Sequence, residues 1–151
     1  MCGIAGFVCK KNQKPSDSLL NRMVKAIAHR GPDDEGTYLK DNVALGHRRL
    51  SILDLSANGH QPMADSGGKI WVTFNGEIYN YIELKKELSG PWQSDSDTEV
   101  LLKGYKKWGV DFPARLNGIF AFAIWDENKK IFYAARDHLG VKPFYYAIQN
   151  G

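Results

Sequence analysis

The residues with the clearest chemical potential stand at the start of the chain, Met1-Cys2-Gly3-Ile4-Ala5-Gly6-Phe7-Val8-Cys9. Removal of Met1 would place a thiol and a free α-amine on one residue, Cys2. The thiol is a nucleophile, and the amine, with an ordinary pKa of about 7.7–8.0, is a base poised near neutral pH. One residue then supplies both halves of an acyl-transfer centre, and a side chain as small as that of Cys2 permits the Met to be removed. The same nine residues also read as a buried strand with a small cysteine in it. Strand alternation puts Cys2, Ile4, Gly6 and Val8 on one face and Gly3, Ala5, Phe7 and Cys9 on the other. With no basic segment before it and no small-residue cleavage site after it, the run does not read as a signal peptide.

Four further places could carry chemistry. Arg49 ends a strand whose neighbours are apolar, and its guanidinium could fork onto a carboxylate; taken alone it reads more readily as an exposed edge arginine. Asn75-Gly76 closes another strand and combines a side-chain amide donor with an unobstructed backbone N–H, the composition of an oxyanion hole. Asn-Gly is also a strong hairpin signal, yet the next element along the chain is a capped helix rather than a partner strand. Both readings stay open. Asp97 sits in the first turn of a helix, where an acid favours the helix dipole; the functional alternative is an anion for a ligand ammonium group. Glu77 has the same two readings. The aromatics Phe120, Phe122, Trp125, Phe132, Tyr133, Phe144 and Tyr145 are expected in the core.

The elements that must hold these residues can be placed from spacing. Ser16, Asp17 and Ser18 offer N-caps for a helix carrying Leu19, Leu20, Met23, Val24 and Ile27, which Gly31-Pro32 stops. Gly36–Leu39 and Val43–Leu50 read as strands joined by a turn at Lys40-Asp41-Asn42. Residues 56–68 form a long polar loop of the kind that often carries function. Ile70–Phe74 is a strand; beyond it, Asn80 with Glu83 reads as a capping box, with Tyr79 and Leu84 as a hydrophobic staple, for a helix through Leu88. Ser96 with Glu99 reads as a second capping box, for a helix with Val100, Leu101, Gly104, Tyr105 and Trp108 on one face and Gly109 as its stop. Ile119–Trp125, Ile131–Ala135 and Phe144–Ile148 read as strands. Helices between antiparallel hairpins give an α+β fold, with sheets packed face to face and helices outside.

A length of 151 residues fits about one domain, and a net charge of +3 with no basic run gives no nucleic-acid signal. No apolar segment approaches the roughly 20 residues of a membrane span. Cys2 and Cys9 on one strand would lie about 23 Å apart, too far for a disulfide. Reduced thiols fit a cytoplasmic protein. No Cys-x-x-Cys pair or histidine cluster suggests zinc, so no metal is expected. Nothing in the last residues closes the fold, which suggests a piece of something longer.

Five segments together resemble class II glutamine amidotransferase domains, most closely the amidotransferase half of glutamine-dependent asparagine synthetases. They are Cys2-Gly3-Ile4-Ala5-Gly6, His29-Arg30-Gly31-Pro32-Asp33, Arg49-Leu50-Ser51-Ile52-Leu53-Asp54, Asn75-Gly76-Glu77-Ile78-Tyr79-Asn80 and Ser96-Asp97-Thr98-Glu99. Residues 118–123 and the run Arg136-Asp137-His138-Leu139-Gly140-Val141-Lys142-Pro143 resemble the closing strands of the same family, so the likeness covers nearly the whole chain. It implies a four-layer αββα sandwich of the N-terminal-nucleophile hydrolase type over residues 1–151, as the N-terminal part of a longer synthetase. It implies Cys2 as nucleophile with its α-amine as base, and Asn75 and Gly76 as the oxyanion hole. Arg49 would take the α-carboxylate of L-glutamine, Asp97 and Glu77 its α-ammonium, and the backbone from Leu50 through Ser51 and Ile52 to Leu53 would line the pocket. The glutaminase reaction would need no cofactor; ATP and magnesium would belong to a synthetase domain that this chain lacks. The expected partners are L-glutamine and that synthetase domain, with a homodimer as an allowed assembly and no nucleic acid or membrane. Two alternatives remain: the same glutaminase serving a sugar or cell-envelope acceptor, and a non-catalytic glutamine-binding module.

Overall fold

Apolar residues alternating along the strands, and recurring every three to four positions along the helices, sort this chain into layers. The computed structural model describes residues 1–149. Strands β1 (Gly3–Val8), β2 (Asp34–Lys40) and β3 (Val43–Arg49) form one antiparallel sheet in the order β1-β3-β2. Strands β4 (Met63–Ala64), β5 (Ile70–Ile78), β6 (Gly118–Asp126) and β7 (Ile131–Arg136) form a second, antiparallel and in sequence order. Helix α1 (Asp17–Ala26), capped by Ser16 through the Leu19 N–H, lays Leu20 and Val24 on the outer face of the first sheet against Phe7, Leu39 and Ala44. Helices α2 (Tyr81–Glu87) and α3 (Thr98–Trp108) cover the outer face of the second sheet. There Leu84, Val100, Leu101 and Tyr105 meet Val72, Phe74, Phe120 and Phe122. Between the sheets, Tyr38, Val43 and Leu45 pack on Ala123 and Trp125. The expected four layers, α on β on β on α, are therefore present.

Three polar links join the sheets across this middle layer. The Thr73 hydroxyl donates to the Gly46 carbonyl at 3.1 Å, and His47 Nε2 bonds the Phe74 carbonyl at 3.0 Å, so Nε2 carries the proton. Burial pushes His47 down to about 4, which keeps it neutral at physiological pH. At one end of the sandwich, Glu127 accepts from Tyr38 and Lys40 of β2 at 2.8 Å each and from Lys69 at 3.2 Å. Burial alone would raise this carboxyl; the two ammonium groups and the phenol outweigh it and bring it to about 2.

The structure corrects several expectations from the sequence. Strand β5 runs straight through Asn75-Gly76 to Ile78, because β6 offers it nine paired residues. The Asn-Gly step is thus neither a hairpin turn nor a strand end. Asn80 stands at the α2 N-cap position, but its side chain is drawn away to the Arg115 carbonyl (2.9 Å) and the Asn117 N–H (2.9 Å). Tyr79 is largely exposed, so it makes no staple. The first helix ends at Ala26, ahead of the Gly-Pro step, and a 3₁₀ turn at Ala28–Arg30 comes next. Phe144–Ile148 is not a strand: no neighbour pairs with it among the described residues, and Tyr145, Tyr146 and Ile148 are exposed. Phe120, Phe122 and Trp125 do lie in the core, whereas Tyr145 and Phe132 do not.

Gly46, in the central strand of the first sheet, has no room for a side chain, since a Cβ there would strike Val24 Cγ2 and crowd Leu20 Cδ1 of α1. Valine is stiff at χ1 in a helix, so the helix itself must lift. Gly46→Ala is expected to cost about 1–3 kcal/mol in urea unfolding. A loss below about 0.5 kcal/mol would show that α1 is free to shift.

Candidate functional site

The site is built where one edge of β5 runs out of partner. Strand β4 pairs only with Trp71 and Val72, so from Thr73 onward that edge has no neighbouring strand. Backbone groups of Phe74, Gly76 and Ile78 face it, for alternate residues of a strand point their N–H groups the same way. The register agrees. Phe120, opposite Gly76, turns its own N–H and carbonyl away from β5 to Asp137. Two of the three N–H groups are taken by side chains. Gln61 Oε1 accepts from Phe74 at 2.7 Å, and Asp97 Oδ2 accepts from Ile78 at 2.8 Å. Gly76 N–H, between them, has no acceptor among the described residues. A Cβ at Gly76 would collide with the backbone of Ile119 and Phe120, so only glycine sits here. Asn75, on the opposite face of the strand, is buried, and its amide makes no hydrogen bond among the described residues.

The first sheet brings the thiol to this edge. Gly3 pairs with Arg48, which sets Cys2 beside the end of β3. There Leu50 N–H donates to Cys2 Sγ at 3.4 Å, and the thiol in turn lies 3.6 Å from the Leu50 carbonyl. The Cys2 carbonyl accepts from Arg30 Nε at 2.9 Å. Arg49 is buried, its guanidinium donating to the Ser56 carbonyl at 2.9 Å and to the Asp54 carbonyl. Two of its five N–H donors are thereby used, and the loop is wrapped around the cation. Asp54 extends the same loop to the entry of α3 by accepting from Asp95 N–H at 3.0 Å.

Asp97 stands at the N-cap of α3 without capping it, because its carboxylate is turned to Ile78. Ser96 Oγ takes over by accepting from Thr98 N–H at 3.1 Å. Glu99 reaches back to the Gln93 and Ser94 N–H groups, both at 2.9 Å, so the second capping box forms only in altered shape. Burial pushes Asp97 up to about 6; the Ile78 N–H opposes this and the nearby Glu77 charge adds to it.

One pocket is lined by Cys2, Arg49, Leu50, Ile52, Leu53, Asn75, Gly76, Glu77 and Asp97. Every site residue expected from the sequence is brought together there except Ser51, whose N–H is tied to Asp33 at 2.8 Å outside the lining. Gln61, Ser96, Thr98, Lys142 and Met1 also line it and were not anticipated. Gln61 lies in a polar loop with no local sign of its burial. Lys142 belongs to a run whose resemblance was visible but to which no role was attached. Among the described residues no group of three or more His, Cys, Asp or Glu could hold a metal ion, and no helix is long and apolar enough to cross a membrane.

A carboxyl raised on folding is a source of instability once it ionises. The folded chain holds the Asp97 proton up to about 6, against about 3.9 for an unperturbed aspartate, so stability falls as pH rises through that window and stays lower above it. Asp97→Asn keeps an acceptor for Ile78 and removes the charge. It is therefore expected to raise the melting temperature at pH 8 by a few degrees, roughly, with no gain near pH 4. A lower melting temperature at pH 8 would show that the carboxylate stabilises the fold.

The sequence profile described as a glutamine amidotransferase domain matches residues 1–151. A putative glutamine-hydrolysing asparagine synthetase of Methanocaldococcus jannaschii is 43% identical over 164 residues, covering 97% of this chain and 32% of that protein. A glutamine-hydrolysing asparagine synthetase of Bacillus subtilis is 43% identical over 156 residues, covering 99% of this chain and 24% of its own length. The amidase chry2 of Gibberella zeae is 41% identical over 164 residues, covering 99% and 24%. Among solved structures, the glutamine phosphoribosylpyrophosphate amidotransferase of B. subtilis aligns over 59% of this chain and 22% of that one, with 26% identity and a TM-score of 0.49. The chain thus spans about a quarter to a third of the length of these curated relatives. With the profile matched from end to end, this chain belongs to the glutamine amidotransferase domain family.

Proposed function

We propose that this chain hydrolyses the side-chain amide of L-glutamine to glutamate and ammonia. The observation that carries the reading is one pocket holding the Cys2 thiol, a Gly76 N–H and an Asn75 amide that have no partner among the described residues, with Arg49 and the Asp97–Glu77 pair as opposite charges. With Met1 removed, the α-amine of Cys2 takes the thiol proton and the thiolate adds to the amide carbon. The carbonyl oxygen, now an anion, is held by Gly76 N–H and Asn75 Nδ2. Collapse breaks the C–N bond, and the proton on the α-amine goes to the leaving nitrogen, releasing ammonia. Water then attacks the γ-glutamyl thioester, with the amine as base, and frees glutamate and the thiol. Arg49 takes the substrate α-carboxylate, and Asp97 with Glu77 takes its α-ammonium. The backbone of Leu50, Ile52 and Leu53 lines the pocket.

In this reading the ammonia serves an ATP- and magnesium-dependent asparagine synthetase domain in a longer chain, in the cytoplasm, where two free cysteines fit a reducing compartment. A cavity of about 370 Å³ between the sheets shares Asn75 with the pocket and offers a way out for a small neutral molecule. The similarity to a fungal amidase favours a second reading, in which the same glutaminase serves a different acceptor.

The test is an intact mass with N-terminal peptide mapping, before and after an electrophilic glutamine analogue, together with glutamine turnover. Loss of Met1, one adduct on Cys2 and none on Cys9 are expected; a processed, folded chain that takes no adduct and turns over no glutamine overturns the reading. Because Asp97 must be ionised to pair with the ammonium group, KM for glutamine is expected to rise as pH falls through about 6, approaching tenfold per unit. In Asp97→Asn, KM is expected to be high at every pH. A wild-type KM that does not change between pH 7 and 5 would remove Asp97 from substrate binding.

A further inference from the structure

Lys142 is buried to 94%, although its ammonium is a strongly hydrated point charge, and among the described residues it forms no ion pair. Its ammonium has one hydrogen-bond partner there, the thioether of Met1, at 3.0 Å. A thioether is a weak acceptor, so burying an ammonium against it is unfavourable. The backbone leaves the lysine little choice of place. Asp137 accepts from Lys142 N–H at 2.9 Å, from Val141 N–H at 2.7 Å and from Phe120 N–H at 3.1 Å. Phe120 is the register partner of Gly76. One carboxylate thus ties the loop bearing Lys142 to the rung of the sheet that carries the free N–H.

The ionisable groups that share the pocket with this ammonium are the Cys2 thiol, Arg49, Glu77 and Asp97, with the terminal amine of Met1. Arg30 comes in through the Cys2 carbonyl, and Asp137 through backbone N–H groups only. His138, on the same loop, lies edge-on to Phe120. The acids Glu77 and Asp97 flank Ile78, beside the free N–H, while Lys142 reaches the side chain of the residue joined to the Cys2 nitrogen.

On the glutaminase reading above, we propose that Lys142 is a positioning residue that, once Met1 is gone, faces the Cys2 α-amine and thiol with a positive charge, so that the pair sheds the first of its two protons more readily and keeps the second for the leaving nitrogen. A like charge disfavours a second ammonium, and an opposite charge favours a thiolate. Lys142 forms no bond to substrate in this proposal. The amine and thiol titrate as a coupled pair, so the effect is read on the pair.

The experiment measures the rate of Cys2 alkylation by iodoacetamide against pH in the Met1-free chain, by peptide mass, with Cys9 in the same molecule as the reference thiol. Lys142→Met is expected to move the Cys2 profile upward by about one pH unit, so that alkylation at pH 7 slows about tenfold, with Cys9 unchanged. Lys142→Arg is expected to restore the wild-type profile, and kcat for glutamine is expected to fall in Lys142→Met with KM nearly unchanged. If Lys142→Met does not fold by circular dichroism, Lys142→Gln removes the same charge. An unshifted Cys2 profile in a folded, uncharged variant overturns the proposal, and so does a shift that Lys142→Arg fails to reverse. Wild-type protein that shows the charge effect on Cys2 yet hydrolyses no glutamine sinks the glutaminase reading instead, so the two failures are distinguishable.

Discussion

Everything about the pocket depends on how β5 treats its unpaired edge. A backbone N–H with no strand beside it must find an acceptor or water. At Phe74 and Ile78 side chains supply one, Gln61 from the loop before β4 and Asp97 from the start of α3. Each does two things at once. Gln61 also donates to Thr98 at 3.2 Å, tying the loop to α3, and Asp97 gives up its capping role to Ser96. The donor left between them is already aimed, because the ladder to β6 fixes the strand on its other side. In the proposed reaction this omission makes the hole for the developing oxyanion, from a rigid sheet rather than a flexible turn.

Much of this could be read from the sequence, and what could not has a physical reason. The helix faces of α1 and α3, the Ser16 cap and the β2–β3 turn rest on contacts within a dozen residues, which local spacing reports well. The course of β5 through Asn75-Gly76 does not. Its partner β6 lies some forty residues on, and a turn signal of two residues gives way to a nine-residue ladder. Asn80 shows the same competition, since its amide is worth more to the Arg115–Asn117 backbone than to its own helix. Phe144–Ile148 has strand composition, but composition supplies no neighbour. Cys2, Arg49, Asn75, Gly76, Glu77 and Asp97 each carry a structural reading beside the chemical one, and only the five segments taken together single them out. Gln61 and Lys142 were not legible, because a glutamine or a lysine announces nothing until the fold buries it.

The pocket end of the molecule is electrostatically uncomfortable. Asp97 is raised by burial, His47 is forced neutral, and Lys142 is enclosed beside a thioether. The end held by Glu127 is the reverse, with one carboxylate satisfied by two ammonium groups and a phenol that bridge the sheets. Strain of this kind gathers around the pocket, while the remainder of the sandwich is locally consistent. The two buried groups also oppose each other in acid. Between about pH 4 and 6, protonation of Asp97 favours the folded state while protonation of His47 disfavours it, so their slopes largely cancel.

The brevity of β4 has one more consequence. A strand edge without a neighbour is open to any other extended chain, and exposed edges are where sheets of separate molecules join. Lengthening β4 by a few residues would remove that hazard and, with it, the free donor at Gly76. This fold keeps the edge and sheathes it instead. The segment from Leu50 to Gln61 crosses in front, pinned by Arg49, while Glu77 and Asp97 set negative charge along the opening. A foreign strand would have to dislodge an arginine, a glutamine and a carboxylate before it could pair, whereas a small amino acid can slip in beneath them. On the proposed glutaminase reading, selectivity for a free amino acid over a peptide and resistance to self-association would rest on one and the same piece of architecture.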